Sequence, residues 1–283
     1  MKCTKGRRVA LAVASATVLT ACTSSEPSEQ PGKDRRATSE FLPALRAAER
    51  STDRAESARV RSTTVMGSQL SIESDGALDW GSALTGTLTI TYTGGTTAET
   101  MRGLGITSME ARYLSDAYYA RMGDAFAAKA GGKHWLKYVY EDLETLGGGG
   151  ANFADQIRNT TPNQSVKLLL DSADVRRVGV ETVSGQAATH YSGTVRVSDV
   201  ADAELRKQLE QAGVTTQTVD IWVGDHDLLV KKVEKARMAT GELTQTAYYS
   251  DYGTRVSVRK PPAADTKDFK ELLGEQGGDS PAP

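Results

Sequence analysis

Residues 84–92 read Leu84-Thr85-Gly86-Thr87-Leu88-Thr89-Ile90-Thr91-Tyr92, and they carry the clearest strand pattern in the chain. The apolar side chains of Leu84, Leu88, Ile90 and Tyr92 recur at even positions, and four threonines occupy the odd ones. Because side chains alternate across a strand, the pattern predicts a β-strand with one dry face and one wet face. Threonine suits the wet face, since it is β-branched, tolerates water and disfavours helix. Such half-buried strands are typical of antiparallel sheets.

Strand patterns separated by short turns recur along the rest of the chain. We predict strands at residues 58–66, 69–80, 109–114, 117–122, 133–140, 175–183, 186–197, 215–223, 228–238, 243–249 and 254–258, with turns at 67–68, 94–95 and 184–185. An open sheet this large tends to curl. The fold class predicted is therefore α+β, a large curved antiparallel sheet of about ten strands, a half-barrel, with helices packed on its concave side.

Helical spacing appears in a few segments between the strands. Phe41 to about Arg59 has apolar residues at near-helical spacing, and Thr161-Pro162 places a cap and a first-turn proline ahead of Val166. Asp199 to Gln211 is predicted to be helical with Asp199 as cap, and shorter helices are predicted at 151–158 and 266–273.

The N-terminus has the order of a secretory signal. Basic residues at 2, 5, 7 and 8 precede an apolar run from Val9 to Leu19 that is too short to span a bilayer. The next residues, Leu19-Thr20-Ala21-Cys22, resemble a bacterial lipobox. The resemblance implies that residues 1–21 are removed, that Cys22 carries a diacylglycerol, and that the protein sits on the outer face of the cytoplasmic membrane. In the alternative reading, Cys22 is an incidental cysteine in an ordinary cleavage region.

Composition divides the chain after the signal into a tether, one domain and a tail. Residues 22–39 are rich in Ser, Glu, Pro, Gly and charge, so we predict a flexible tether, followed by one domain at 40–273 and a disordered tail at 274–283. The two cysteines are Cys3 and Cys22, so the mature domain has no disulfide. Removing the four basic residues of the signal from 34 leaves 30 against 36 acidic residues, a net charge of −6. No basic patch points to nucleic acid or anionic lipid as the primary partner.

Three stretches, considered together, resemble a known family. They are Val183-Ser184-Gly185-Gln186-Ala187-Ala188-Thr189-His190-Tyr191-Ser192-Gly193, then Val219 to Lys232 with its Trp222, and Tyr249 to Gly253 followed by Pro261-Pro262. They are similar to segments of the LppX and LprG type of actinobacterial lipoproteins, within the LolA/LolB superfamily. The resemblance implies a half-barrel enclosing a pocket for the acyl chains of lipids or glycolipids. With four phenylalanines and many threonines, this chain could have a smaller cavity or none.

The resemblance and the alternation together suggest which side chains face inward. The candidate cavity lining is Leu84, Leu88, Ile90, Tyr92, Val219, Ile221 and Val223. The alternative is that these residues pack directly against the helices as a solid core. Trp222 points away from Val219, Ile221 and Val223 in a regular strand, and it could line a pocket or shield a sheet edge.

Catalytic and metal-binding motifs are absent from the sequence. The three histidines, His134, His190 and His226, lie in no metalloprotease motif, and no mature cysteine is available as a nucleophile. Asp225-His226-Asp227 could bind a metal but fits a polar hairpin turn better, and Gly147–Gly150 lacks the remainder of a phosphate loop. We therefore expect a lipid-binding lipoprotein with no enzymatic activity, no metal and no cofactor. The alternative is an envelope protein-interaction or sensory module with a filled core.

Overall fold

A single sheet of twelve strands dominates the computed structural model, which describes residues 31–145, 154, 161–238 and 240–277, with side chains from residue 40 onward. The strands are β1 Ser57–Met66, β2 Leu70–Asp79, β3 Thr85–Gly94, β4 Ser108–Tyr113, β5 Ala117–Arg121, β6 Trp135–Val139, β7 Arg176–Val183, β8 Gln186–Arg196, β9 Thr216–Val223, β10 Leu229–Met238, β11 Gly241–Ser250 and β12 Thr266–Asp268. The predicted α+β class with a curved sheet is confirmed.

The strands lie in the order β12-β6-β5-β4-β3-β2-β1-β11-β10-β9-β8-β7. Every neighbouring pair is antiparallel except β12 and β6, which run parallel over three residues. Two meanders, β1 to β6 and β7 to β11, are joined where β1 pairs with β11. The sheet therefore has two free edges, β7 at one end and the short β12 at the other.

Seven α-helices accompany the sheet in the described part of the chain. They are α1 Pro31–Arg54, α2 Gly95–Gly103, α3 Asp124–Ala127, α4 Tyr140–Thr145, α5 Asn163–Leu170, α6 Ala203–Gln211 and α7 Phe269–Gly277. Helices α1 and α5 pack on each other, and α5 also packs on β8, β9 and β10. These two helices cover the same face of the sheet, which becomes the dry side.

The alternation in β3 has the consequence predicted for it. Leu88 and Ile90 are buried in the main core, whereas Thr89 on the opposite face is exposed. Leu45 and Ala48 of α1 belong to the same core and have no exposed surface. The core thus lies between the sheet and the helices, and the outer face of the sheet meets water.

Helix boundaries differ from the predictions at the N-terminus. Helix α1 begins at Pro31, so residues 31–39, predicted as part of the flexible tether, have helical backbone. Proline at the first position loses no hydrogen bond, and the lysine, arginines and alanine that follow are good helix formers. The helix ends at Arg54 rather than about Arg59, because Ser57 already pairs with Asp79 in the sheet.

Other boundaries shift for local reasons. The predicted turn at Gly94-Gly95 is also the start of α2, where Gly95 has a φ of 85° that favours glycine. Helix α6 begins after Asp202 rather than Asp199, since the Asp202 carboxylate accepts hydrogen bonds from the backbone N–H groups of Glu204 and Leu205, both at 3.0 Å.

The C-terminal region departs furthest from the predictions. Residues 254–258 were predicted to form a strand, but the chain there joins no ladder and is held by single contacts, such as the hydroxyl of Ser57 donating to the carbonyl of Thr254 at 2.7 Å. The twelfth strand is instead β12, at the start of the predicted helix 266–273. Helix α7 continues to Gly277, into the predicted tail. The predicted signal, Cys22, residues 147–150, nearly all of the helix at 151–158 and residues 278–283 lie outside the described residues.

Candidate functional site

The residues predicted to line a cavity on β3, and Leu84 directly before it, lie together on the helix-facing side of the sheet. Leu84, Leu88 and Ile90 are buried with 7–8% of their surface exposed, and Tyr92 is half-buried. Leu88 lies between Gly76 of β2 and Ala111 of β4, and Ala111 lies beside Ala120 of β5. Ala111 and Ala120 are 0% and 2% exposed, so the sheet at this point is covered by the main core.

The β9 residues of the same prediction occupy a different part of that face. Val219 and Ile221 have no exposed surface and lie beneath α5, whose Val166 and Leu169 are equally buried. Val223, near the end of the strand, is half-buried. Strands β3 and β9 are five steps apart in the sheet, about 24 Å along it at the usual strand spacing. The structure therefore does not bring the two predicted sets side by side.

Aromatic side chains cover the part of the helix-facing side beyond β3. We call this group the tyrosine sector and define it as Tyr92, Tyr113, Tyr118, Tyr138 and Phe269. Tyr113, Tyr118 and Tyr138 are cross-strand neighbours on β4, β5 and β6. Their ring centroids lie 5.2 Å and 5.8 Å apart, and Phe269 of α7 lies 4.7 Å from Tyr138. The rings form a continuous apolar wall.

The hydroxyl groups of this wall stay protonated far above neutral pH. Burial raises the pKa of Tyr138 to about 12, and burial also raises the pKa values of Tyr92, Tyr113 and Tyr118. Tyr92, Tyr113, Tyr138 and Phe269 nevertheless remain only partly buried. The sector therefore offers neutral amphipathic groups, apolar along the rings and able to hydrogen-bond at the tips.

A buried ion pair lies on the helix-facing side of β10. Lys232 Nζ is 3.4 Å from Glu234 Oε1, and the two side chains are 8% and 12% exposed. The hydroxyl of Ser165 on α5 donates to the same carboxylate oxygen at 2.5 Å. The pair fastens α5 to the sheet, so this half of the face is closed by helix.

Trp222 lies on the outer face of the sheet rather than in the core beneath α5. It packs with Val183, Ala188 and Val230 in a separate small cluster, and its indole N–H donates to Glu181 Oε2 at 2.9 Å. Lys231 Nζ sits 4.0 Å from the centre of its ring. Trp222 therefore neither lines a pocket beneath α5 nor shields a sheet edge, because β9 is an interior strand; it packs on the outer face of β8 to β10.

His190 lies beside Trp222 and is fully engaged by carboxylates. Its Nδ1 is 2.8 Å from Glu181 Oε1 and its Nε2 is 2.8 Å from Asp220 Oδ1. Both ring nitrogens thus face carboxylate oxygens, and His190 is a hydrogen-bonded histidine within a polar cluster.

The two remaining histidines form no recognisable metal centre. Asp225, His226 and Asp227 make the turn between β9 and β10, with His226 at φ 59°, which confirms the hairpin reading. His134 Nδ1 lies 2.6 Å from Asp265 Oδ1. Within the described ranges, no three His, Cys, Asp or Glu side chains are grouped so that they could hold a metal ion.

Most of the tyrosine sector was missed in the sequence. The signal was present in the hairpin of β4 and β5, where Tyr113 and Tyr118 lie symmetrically about the turn at Ser115 and Asp116. Tyr138 and Phe269 could not have been added by pattern alone, because their contact depends on the path of the chain back to β6.

Solved structures define the class to which this arrangement belongs. LprF from Mycobacterium bovis superimposes with a TM-score of 0.51 and 14% identity, covering 79% of this chain and 97% of LprF. The lipoprotein LppX of Mycobacterium tuberculosis gives a TM-score of 0.51 and 16% identity, covering 78% of this chain and 99% of LppX. The fold is that of the LppX-type lipoproteins, as the sequence resemblance predicted.

Two Streptomyces proteins place the chain more closely. SCO4650 of Streptomyces coelicolor, whose name describes it as a lipoprotein, is 68% identical over 235 residues, which are 83% of this chain and 77% of that protein. A 31.2 kDa protein of Streptomyces griseus, encoded in the rplA–rplJ intergenic region, is 52% identical over 250 residues, covering 84% of this chain and 82% of its relative. No family model matches the chain. The chain belongs to the same family as SCO4650 of Streptomyces coelicolor.

Proposed function

We propose that this protein is a lipoprotein anchored through a diacylglycerol on Cys22 to the outer face of the cytoplasmic membrane, and that it binds acyl chains of a lipid or glycolipid for transfer or presentation. The family supports the anchored state, since the relative SCO4650 is itself named as a lipoprotein. No helix among the described residues has the length and apolar character to cross a membrane. Two acyl chains on one cysteine are enough for stable attachment without such a helix.

The observation that carries the ligand proposal is the tyrosine sector. Its rings are apolar, partly accessible and on the helix-facing side, and they adjoin Leu88 and Ile90 across the Ala111 and Met109 positions of β4. Removing a sixteen-carbon chain from a bilayer costs about 12 kcal/mol, so a dry apolar wall is needed to compensate. We therefore assign the ligand to the β3–β6 half of the face, with Leu84, Leu88, Ile90 and Tyr92 beside the tyrosine sector.

The packed half of the face has a supporting role in this proposal. Val219 and Ile221 stabilise the sheet beneath α5, and Val223 closes the end of that region. Both nitrogens of His190 have carboxylate oxygens as their hydrogen-bond partners, so this outer-face cluster pairs the imidazole with acids rather than with a nucleophile. We propose a binding protein without a catalytic step, metal or cofactor.

Native mass spectrometry after mild extraction tests the proposal. The wild-type protein should retain lipid masses in addition to its own anchor, and Tyr92→Ser should lose most of them. Tyr248→Ser is the matched control, because Tyr248 lies on the outer face. Its residue is 37% exposed, and Lys231 Nζ lies 5.6 Å from the centre of its ring. A homogeneous ligand-free mass for the wild type, with no binding of an apolar probe, would defeat the carrier role.

A second function is favoured by one observation. The complete burial of Val219 and Ile221 beneath α5 supports an envelope interaction or sensory module with a solid core. Crosslinking in intact cells separates the two functions. Repeated capture of a single protein, with no lipid retained by the purified chain, would establish the interaction module instead.

A further inference from the structure

The free edge strand β7 exposes two large apolar side chains. Val178 is 50% exposed and Val180 is 59% exposed, more than any other large hydrophobic residue that the structure describes. A bulge lies between Arg177 and Gly179, so Val178 is excluded from the regular pairing with β8. Edge strands usually avoid exposed apolar side chains, because these promote association with other molecules. The two valines therefore mark a candidate contact surface.

Two basic residues precede the valines on one side. Arg176 and Arg177 come directly before Val178 and are both exposed. The carboxylate of Glu181, on the other side, accepts hydrogen bonds from Trp222 and His190 and is thereby turned toward the outer face. The exposed edge thus combines apolar groups with positive charge, which is the chemistry of contact with an anionic lipid surface.

The direction of α1 brings the membrane anchor to this same edge. Phe41 of α1 contacts Tyr191 of β8 with ring centroids 6.0 Å apart, and Tyr191 pairs with Arg177. Further along the helix, the Thr52 hydroxyl accepts a hydrogen bond from the backbone N–H of Leu229 in β10. Between Phe41 and Thr52 the helix therefore runs from the β7–β8 side of the sheet toward β10, so its N-terminal end points toward the β7 edge.

The length of chain before α1 limits how far the edge can be from the lipid. Cys22 precedes Pro31 by nine residues, which span at most about 30 Å when fully extended. The sequence adds Lys33, Arg35 and Arg36 against Asp34 at the start of the helix. A domain held this close would present the β7 side to the membrane more often than any other.

We propose that the β7 edge, through Val178, Val180, Arg176 and Arg177, rests on the anionic surface of the membrane that holds Cys22. This inference rests on the anchor in the proposed function. Two valines and two arginines are too few to attach the protein, so the contact orients a domain that the diacylglycerol already holds. The contact would keep the β3–β6 half of the helix-facing side, where we place the ligand, at a constant angle to the membrane.

Site-specific fluorescence on the acylated full-length protein tests the contact. The mature chain has no cysteine besides Cys22, whose sulfur is blocked by the lipid, so a single introduced cysteine can be labelled cleanly. Val178→Cys and Val180→Cys carry the probe, and Val65→Cys, 37% exposed on β1, is the control. The proteins are reconstituted in phosphatidylglycerol–phosphatidylethanolamine vesicles containing a lipid-borne quencher.

We expect a blue shift and strong quenching at positions 178 and 180 and neither effect at 65. Replacing Arg176 and Arg177 with Gln should weaken the membrane contact about five-fold for each arginine, and high salt or phosphatidylcholine vesicles should have the same effect. Equal quenching at all three positions in protein that co-sediments with vesicles would overturn the orientation and leave the anchor intact.

Other outcomes are equally distinct. Protein that stays in the supernatant would overturn the anchor and this inference together, whereas lipid retained in native mass spectra would still support acyl-chain binding. Protection of the 178 and 180 probes without vesicles, accompanied by a dimeric mass, would show that β7 pairs with a second copy and would overturn the membrane contact.

Discussion

The imidazole of His190 stacks on the indole of Trp222, with ring centroids 4.1 Å apart and an interplanar angle of 16°. The Trp222 indole N–H donates to one carboxylate oxygen of Glu181, on β7, and His190 Nδ1 lies 2.8 Å from the other. Three strands thereby share one polar cluster on the outer face. This cluster couples the β7 edge to the rest of the sheet.

The first prediction concerns the acid stability of this cluster. The Trp222 hydrogen bond, followed by that from His190, holds the pKa of Glu181 below its ordinary value of 4.5. A depressed folded-state pKa gives stability that is present above the unfolded pKa and lost as the pH falls through the folded one. Trp222→Phe keeps a ring but removes the donor, so its deficit in unfolding free energy should be largest near neutral pH and shrink on acidification.

Urea unfolding from neutral to acid pH measures this effect. Trp80→Phe is the matched control, since the buried Trp80 Nε1 has no hydrogen-bond partner among the described residues. The control deficit should not change with pH. If the two variants show the same pH-independent offset, the indole is not what lowers the Glu181 pKa.

The second prediction concerns the buried ion pair beneath α5. Glu234→Ala leaves the Lys232 ammonium and the Ser165 hydroxyl without their acceptor in the core, and we expect a loss of about 3–5 kcal/mol in unfolding free energy. Replacing both partners, as Lys232→Met with Glu234→Leu, should restore most of that stability. Chemical denaturation of the three proteins makes the comparison.

A surface pair on the same hairpin supplies the control. Arg237 and Glu242 are 3.6 Å apart with side chains 85% and 78% exposed, so Glu242→Ala should cost no more than about 1 kcal/mol. A similar loss for both glutamate variants would argue against a buried pair at Glu234.

The third prediction concerns the close packing of β2 against β3. A Cβ atom on Gly76 would lie 2.0 Å from the carbonyl oxygen of Thr87, so Gly76→Ala forces the strands apart and should cost about 1–3 kcal/mol. In Gly179→Ala, on the β7 edge, the added methyl meets nothing within 4 Å. Thermal melts should separate the variants, and equal melting temperatures would show that β2 and β3 adjust freely.

The fourth prediction concerns the tyrosines of the core. Burial raises the pKa values of Tyr113, Tyr118, Tyr249 and Tyr252, so these rings ionise in the unfolded chain before they do so in the folded one. A raised folded-state pKa gives stability that is complete below the unfolded value of 10.0 and is lost as the pH rises above it. Unfolding free energy should therefore fall above pH 10.

Ultraviolet absorbance of tyrosinate follows the same titration directly. The native protein should ionise fewer of its ten tyrosines near the ordinary pKa than the urea-unfolded protein does. Identical titration curves for the folded and unfolded chains would mean that the tyrosine sector is open to solvent throughout.

The fifth prediction concerns the proposed anchor. Cys22→Ser should release the protein from the membrane fraction and abolish incorporation of labelled fatty acid, because the hydroxyl cannot form the thioether to diacylglycerol. Cys3→Ser, within the predicted signal, should leave both properties unchanged. Labelled fatty acid entering the Cys22→Ser protein would place the lipid elsewhere.

Local order was accessible from the sequence because it depends on neighbours along the chain. The alternation from Leu84 to Tyr92 sufficed to orient β3, and turn residues such as Ser184-Gly185 sufficed to locate the hairpin of β7 and β8. The strand prediction at residues 254–258 was wrong because it considered only local composition. The composition suits a strand, but the segment joins no neighbouring strand that could supply hydrogen bonds.

Local sequence patterns were enough to predict the class of fold, the two-faced strands and a lipobox-like N-terminus. The pairing of β1 with β11, the packing of α5 on the sheet, and the meeting of Glu181, His190 and Asp220 on its outer face became visible in the folded molecule. These contacts join residues far apart in the chain. They depend on strand order, which periodicity within a single strand does not encode.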